Sequence, residues 1–142
     1  MIIKQKIGVI GNGFVGGAVQ FGFSQKVGCE AEVRVYDKNP KKSTHTIKET
    51  VNESDFIFLS VPTPAKTDGS INLKILDDAL NDINEVHDGR DNTILIRSTV
   101  IPGTTWTLQE KYSNLNILFN PEFLTERSAN FDFINQNRFI IG

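Results

Sequence analysis

The chain has a single cysteine, Cys29, so no internal disulfide framework can form. That usage fits a reducing compartment and points to the cytoplasm. Histidines are equally scarce: His45 and His87 lie far apart, and no Cys/His spacing suits a metal. No apolar run approaches the roughly 20 residues of a membrane span. The N-terminal stretch MIIKQKIGVIG sets lysines in a strand-like pattern without a small-residue cleavage site, so it does not read as a signal peptide. Neither sign of charge dominates. The 15 basic and 17 acidic side chains leave a net charge of −2, which gives no general pull toward nucleic acid or an anionic membrane. Internal repeats, low-complexity tracts and linkers are absent. What remains is a chain of 142 residues, 39% apolar and 23% charged, which reads as one globular domain able to bury a core.

The most informative stretch is IGVIGNGFVG, residues 7–16. Apolar Ile7, Val9 and Ile10 run straight into Gly11, Gly13 and Gly16. A short buried strand followed by G-x-G-x-x-G is the phosphate-binding turn of a dinucleotide fold. The first glycine permits the tight turn, the second lets the backbone approach a pyrophosphate, and the third lets a helix sit close to the strand. The following helix start, Phe14 and Val15, offers free N–H groups to an anion. An ordinary Gly-rich turn would imitate the pattern, so its context decides.

That context is favourable. Residues 14–26 show helical periodicity through Val15, Ala18, Val19, Gly22 and Phe23, with Gly28 as a C-cap. Residues 31–36 (AEVRVY) alternate as a strand and end at Asp37, about 20 residues beyond Gly16, the offset of the acid that holds an adenosine ribose. Asp37 would repel a 2′-phosphate and so favours NAD over NADP, a preference that neighbouring Lys38 weakens. Asp37 also suits a plain turn, since Asp-Lys-Asn-Pro is good turn chemistry. A short helix is expected over 46–51. Residues 55–61 (DFIFLSV) form a near-continuous apolar run, as in a parallel strand covered on both faces. Pro62-Thr63-Pro64 ends it. A helix over 73–86 turns Leu73, Leu76, Ala79, Leu80 and Ile83 inward. Its Lys74, Asp77, Asp78, Asp82 and Glu85 read as a solvated face. Gly89 closes that segment. Strands are then predicted at 93–97, 116–119 and 138–141, with a helix running to about Tyr112.

Six strands alternating with crossovers predict an α/β fold: a Rossmann-type, doubly wound, mostly parallel sheet of order 3-2-1-4-5-6. Ligands bind such sheets outside the carboxyl ends of the strands, here expected where strands 1 and 4 part. The glycine turn, Asp37, residues 61–64, 98–105 and 120–126 each follow a strand and therefore share one edge. Cys29 and His87 precede strands and belong to the opposite edge.

Four stretches in this order, GNGFVG, VPTP (61–64), STVIPGTT (98–105) and NPEFLTE (120–126), resemble the UDP-glucose/GDP-mannose dehydrogenase family in its N-terminal NAD-binding domain. The closing RFIIG is similar to that domain's last strand, and the likeness spans nearly the whole chain. The resemblance implies a protein that oxidises the C6 alcohol of a nucleotide-linked hexose to a carboxylate with two NAD, through a cysteine-bound intermediate. It implies cofactor contacts from Gly11, Gly13, Phe14, Val15, Gly16, Asp37, Lys38, Val61, Pro62, Thr63, Ser98 and Thr99. It also implies that Thr99 positions a catalytic water, that Glu122 serves as a base, and that Glu126 lies by the substrate and nicotinamide. From the residues alone, Thr99 reads equally as a helix cap, and Asn120-Pro121-Glu122 as a helix start.

The family's catalytic cysteine, lysine and asparagine, its central helix and its sugar-binding second domain have no counterpart in residues 1–142. Cys29 is too early and at the wrong edge to substitute. The connection between strands 2 and 3 is short, and Gly17 and Arg127 stand where the family usually has other residues. The expectation is an NAD-binding domain that is incomplete as an enzyme by itself. Its partners would be NAD, a nucleotide sugar, and a second domain or second copy. The alternatives are a stand-alone NAD-binding module, or the NAD(P)-binding domain of a dehydrogenase for another hydroxy compound.

Overall fold

The computed structural model describes residues 4–142. Five parallel strands form one sheet: β1 (Lys6–Ile10), β2 (Glu32–Tyr36), β3 (Phe56–Leu59), β4 (Thr93–Ile96) and β5 (Ile117–Phe119). Five helices connect or follow them: α1 (Phe14–Gly22), α2 (Ile47–Asn52), α3 (Lys74–Val86), α4 (Thr104–Lys111) and α5 (Ala129–Ile134). The predicted α/β class is the observed one. Helix α2 starts where a capping box predicts: the Thr46 hydroxyl accepts from the Glu49 N–H, and the Glu49 carboxylate accepts from the Thr46 N–H.

The sheet order is β2-β1-β3-β4-β5, not the expected 3-2-1-4-5-6 of six strands. Two features of the sequence account for this. Between β2 and β3 the chain makes only a 3₁₀ turn (Pro40–Lys42) and the short α2, which packs on β1, β2 and α3. Among the described residues β2 is the edge strand. In addition, β3 is apolar toward both faces, so it is stable only inside the sheet, where it pairs with β1 and β4. The topological switch therefore falls between β1 and β3, rather than between strands 1 and 4.

The expected strand at 138–141 is also absent. Gly142 and Phe119 instead exchange backbone hydrogen bonds, and the Asn120 side-chain amide donates to the Ile140 carbonyl at 2.6 Å. A reciprocal pair of that kind is antiparallel, and it involves one residue on each side rather than a ladder. The intervening residues fold as a 3₁₀ turn (Glu126–Ser128) and α5, which periodicity is too short to reveal. Asp132 fixes this segment by accepting from the Thr125 N–H and the Ser128 hydroxyl.

Alternation along the strands feeds two cores. Ile57, Leu59, Ile94 and Ile96 meet Leu76, Leu80 and Ile83 of α3 on one face. Ile7, Val9, Phe58 and Leu95 meet Ala18 and Val19 of α1 and Phe133 of α5 on the other. The carboxyl ends of β1 and β3 are thereby held open at the switch point. Among the described residues no helix is long and apolar enough to cross a membrane.

Candidate dinucleotide site

The turn after β1 is built as the glycines require. Gly11 has φ +86°, and a Cβ there would lie 2.1 Å from the Ser60 carbonyl oxygen. A Cβ on Gly16 would lie 1.9 Å from the Gly11 carbonyl oxygen, so only glycine lets α1 pack this close. Gly13, by contrast, has nothing within 4 Å of where its Cβ would be. It is the N-cap of α1, and no acidic residue occupies that helix's first turn. Unpaired N–H groups and the positive helix end therefore face open space, a cradle suited to an anion.

Asp37, just past β2, is tied to this turn. One carboxylate oxygen accepts from the Asn12 N–H and the other from the Asn39 N–H, both at 2.7 Å. Each carboxylate oxygen can accept more than one hydrogen bond, so capacity remains for ligand hydroxyls. The Asn39 side chain caps the 3₁₀ turn by accepting from the Lys41 N–H, and the Asn12 amide donates to the Lys42 carbonyl.

A cleft of about 510 Å³ opens at the switch point. That is within the usual size range of small-molecule sites. It gathers Gly11, Gly13, Phe14, Val15, Asp37, Lys38, Val61, Pro62, Thr63, Ser98, Thr99 and Glu122 from the sequence-predicted set. Two predicted residues are not on its wall. Gly16 lies behind the turn as a packing residue. Glu126 is exposed in the 3₁₀ turn before α5, because residues 120–125 run as non-helical chain and carry it away. For the same reason no helix begins at Asn120-Pro121-Glu122.

The polar groups on the wall divide by role. The Ser98 hydroxyl donates to the Val61 carbonyl at 2.7 Å and accepts from the Val61 N–H at 3.0 Å, so it splices the ends of β3 and β4. Thr63 donates its hydroxyl to the Thr99 carbonyl at 2.7 Å, and the exposed Thr99 hydroxyl has no hydrogen-bond partner among the described residues. Glu122 is half-buried, and one oxygen accepts from the Leu124 N–H at 2.6 Å.

Sequence reasoning missed several wall residues. The sequence reads Arg97 as the end of a strand, yet it is 1% exposed and lines the cleft. Its guanidinium donates to the Asn120 side-chain oxygen and lies 5.6 Å from the Phe133 ring centroid. Its Nε and second terminal nitrogen have no hydrogen-bond partner among the described residues. Burial pushes its pKa down to about 10, against the opposing effect of the Glu122 charge. Lys42 and Ile47 arrive from the β2–β3 connection, and Ile75, Ala79 and Asp82 from one face of α3. Asp82 thus lines the cleft rather than the solvated face assigned to it. The i, i+4, i+7 spacing of the α3 trio was the signal that could have found it.

Cys29 and His87 do lie away from this cleft. His87 shares a hydrogen bond with Asn92 at 3.1 Å beside a smaller hollow of about 270 Å³. Among the described residues no three His, Cys, Asp or Glu side chains cluster as a metal site.

A parallel sheet, a glycine turn at a helix N-terminus, and an acid after the second strand, all on one switch-point cleft, define a dinucleotide-binding domain. Residues 41–142 match the model of the UDP-glucose/GDP-mannose dehydrogenase family, NAD binding domain, and the chain belongs to that family. NAD is accordingly the cofactor of this domain.

A protein of Methanocaldococcus jannaschii is 34% identical over 96% of this chain. The UDP-glucose 6-dehydrogenase of Rickettsia felis is 34% identical over 75% of it. The chain spans 18% and 24% of these two relatives' lengths. Among solved structures, a UDP-glucose dehydrogenase from Pyrobaculum islandicum superposes with a TM-score of 0.76 at 27% identity. That match covers 99% of this chain and 41% of the other.

Proposed function

We propose that residues 1–142 serve as the NAD-binding domain of a nucleotide-sugar 6-dehydrogenase, and that the domain by itself does not turn over. The observation that carries this reading is the joining of the glycine cradle, Asp37, Thr99 and Glu122 on one cleft wall. The cradle at Gly11–Gly13 and the first N–H groups of α1 would hold the pyrophosphate. Asp37 would accept from the adenosine ribose hydroxyls. Val61, Pro62 and Thr63 would border the chain of the cofactor toward Ser98 and Thr99. NAD, when bound, supplies the oxidising capacity for converting an alcohol to a carboxylate.

Two side chains of this chain would serve the hydrolytic step. Glu122 would accept the proton of a water as its oxygen attacks the carbonyl carbon of the cysteine-bound acyl intermediate that the resemblance implies, the C–S bond breaking and the thiolate leaving as the carboxylate forms. The Thr99 hydroxyl would orient that water. Such assistance is worth on the order of 10²–10⁴-fold in rate. Glu126, outside the cleft, takes no part in this scheme. The substrate class, an NDP-hexose such as UDP-glucose, comes from the named relatives.

Isothermal titration calorimetry with NAD tests the first claim. Saturable 1:1 binding is expected, and a folded chain that takes up no NAD would overturn it. NADH production on mixing this chain with NAD and UDP-glucose would overturn the claim that it does not turn over alone.

A further inference from the structure

We infer that Asp82 reads the base of the bound dinucleotide, accepting a hydrogen bond from the exocyclic amino group of adenine. The inference rests on NAD occupying the switch-point cleft, as proposed above.

Helix α3 carries four acids, Asp77, Asp78, Asp82 and Glu85, that can be compared directly. Asp78 is paired with Lys74 at 2.8 Å. Asp77 takes Lys111 at 2.7 Å and the Tyr112 hydroxyl at 2.9 Å. Glu85 accepts from the Asn81 amide at 3.0 Å. Asp82 has no hydrogen bond or ion pair recorded among the described residues, and it is the one acid of this helix on the cleft wall. A carboxylate that every neighbouring acid's solution has bypassed, facing a ligand site, is an acceptor held for the ligand.

Its surroundings suit a purine. Ile75 and Ala79 precede Asp82 on the same face of α3, and Tyr36 and Ile47 line the same cleft. Together they offer apolar surface to the flat faces of a base, with one polar group among them, the usual composition of a specific small-molecule pocket. Tyr36 adjoins Asp37 at the end of β2, whereas Glu122 follows β5 at the opposite side of the sheet, so a ribose held at Asp37 has its base nearer this group than Glu122. A carboxylate can only accept. It therefore complements adenine, whose C6 substituent donates, and opposes hypoxanthine, whose C6 oxygen only accepts. A hydrogen bond to a charged group is worth about 1.5–3 kcal/mol, so roughly tenfold or more in affinity rides on that single substituent.

The test is to titrate the chain with NAD and with nicotinamide hypoxanthine dinucleotide, in wild type and in Asp82→Ala, following intrinsic fluorescence or heat. Wild type is expected to bind NAD about tenfold more tightly than the hypoxanthine analogue, and Asp82→Ala to bring the two within about twofold. Asp82 is half-exposed, so the variant is expected to fold, which circular dichroism checks. Equal affinities in wild type, or an unchanged preference in the variant, would overturn the role of Asp82 while leaving the cofactor reading intact. Failure of the folded wild-type chain to bind either dinucleotide would overturn the cofactor reading and this inference with it.

Discussion

The Asp37 carboxylate accepts a 2.7 Å hydrogen bond from the backbone N–H of Asn12, the residue between the first two glycines of the turn. The acid that would hold the ribose therefore also fixes the loop that would hold the pyrophosphate. Binding and local order are coupled at one side chain. Asp37→Ala should lose both: about 1–2 kcal/mol of stability by urea denaturation, and at least tenfold in NAD affinity by calorimetry. Retention of full affinity would show that the carboxylate serves the loop alone.

Two of the motif glycines, Gly16 and Gly13, should separate stability from binding. Gly16→Ala places a methyl 1.9 Å from the Gly11 carbonyl oxygen and should cost about 1–3 kcal/mol as α1 is pushed off the sheet. Gly13→Ala meets nothing in the free chain and should change stability by no more than about 1 kcal/mol, the scale of an N-cap substitution. It should nevertheless weaken NAD binding, because the added methyl projects from the open face of the cradle. Thermal melts and titrations on the two variants check the contrast.

Arg97 and Asn120 should respond in opposite ways. Asn120→Ala removes the one side-chain acceptor recorded for a buried guanidinium and should cost about 2–3 kcal/mol. Arg97→Met removes the buried charge itself and keeps most of the volume, so stability should be unchanged or increased. Urea midpoints decide between these signs. An Arg97→Met loss as large as that of Asn120→Ala would mean that the charge is stabilising.

Asp77 predicts a pH dependence. The hydrogen bond from the Lys111 ammonium, and then that from the Tyr112 hydroxyl, hold its carboxyl below the ordinary carboxylate range. A group with a depressed folded pKa contributes stability above its unfolded value, about 3.9, and that contribution is lost as pH falls through the folded pKa. Asp77→Asn should therefore be less stable than wild type near neutrality, by under about 1 kcal/mol for a pair this exposed. The two proteins should converge between about pH 4 and pH 2. Urea midpoints measured across that range follow the convergence.

The parts of the site that were legible in the sequence are those whose chemistry is local. The glycine turn needs backbone freedom at fixed positions, and Asp37 needs only to end a strand at the right distance. Residues that reach the cleft from a helix face or a strand end were hidden. Asp82 looked like one more solvated acid on α3, because an amphipathic pattern says which side faces the core and not what stands beside the polar side. Arg97 looked like the polar end of a strand until the segment from Asn120 and the ring of Phe133 enclosed it. Glu126 stood four residues from Glu122 and shared its motif, but non-helical backbone does not return residues to one face as a helix would.

The order of the strands follows the same division. Alternation and apolar runs fixed five strands, their parallel class and the edge at which the loops gather, because each depends on a few neighbouring residues. Which strand lies beside which was decided only when the short connection carrying α2 packed on β1 and β2 and left β3 to enter on the far side of β1. Strand neighbours are chosen by burial summed over the whole sheet, and no stretch of sequence carries that sum alone.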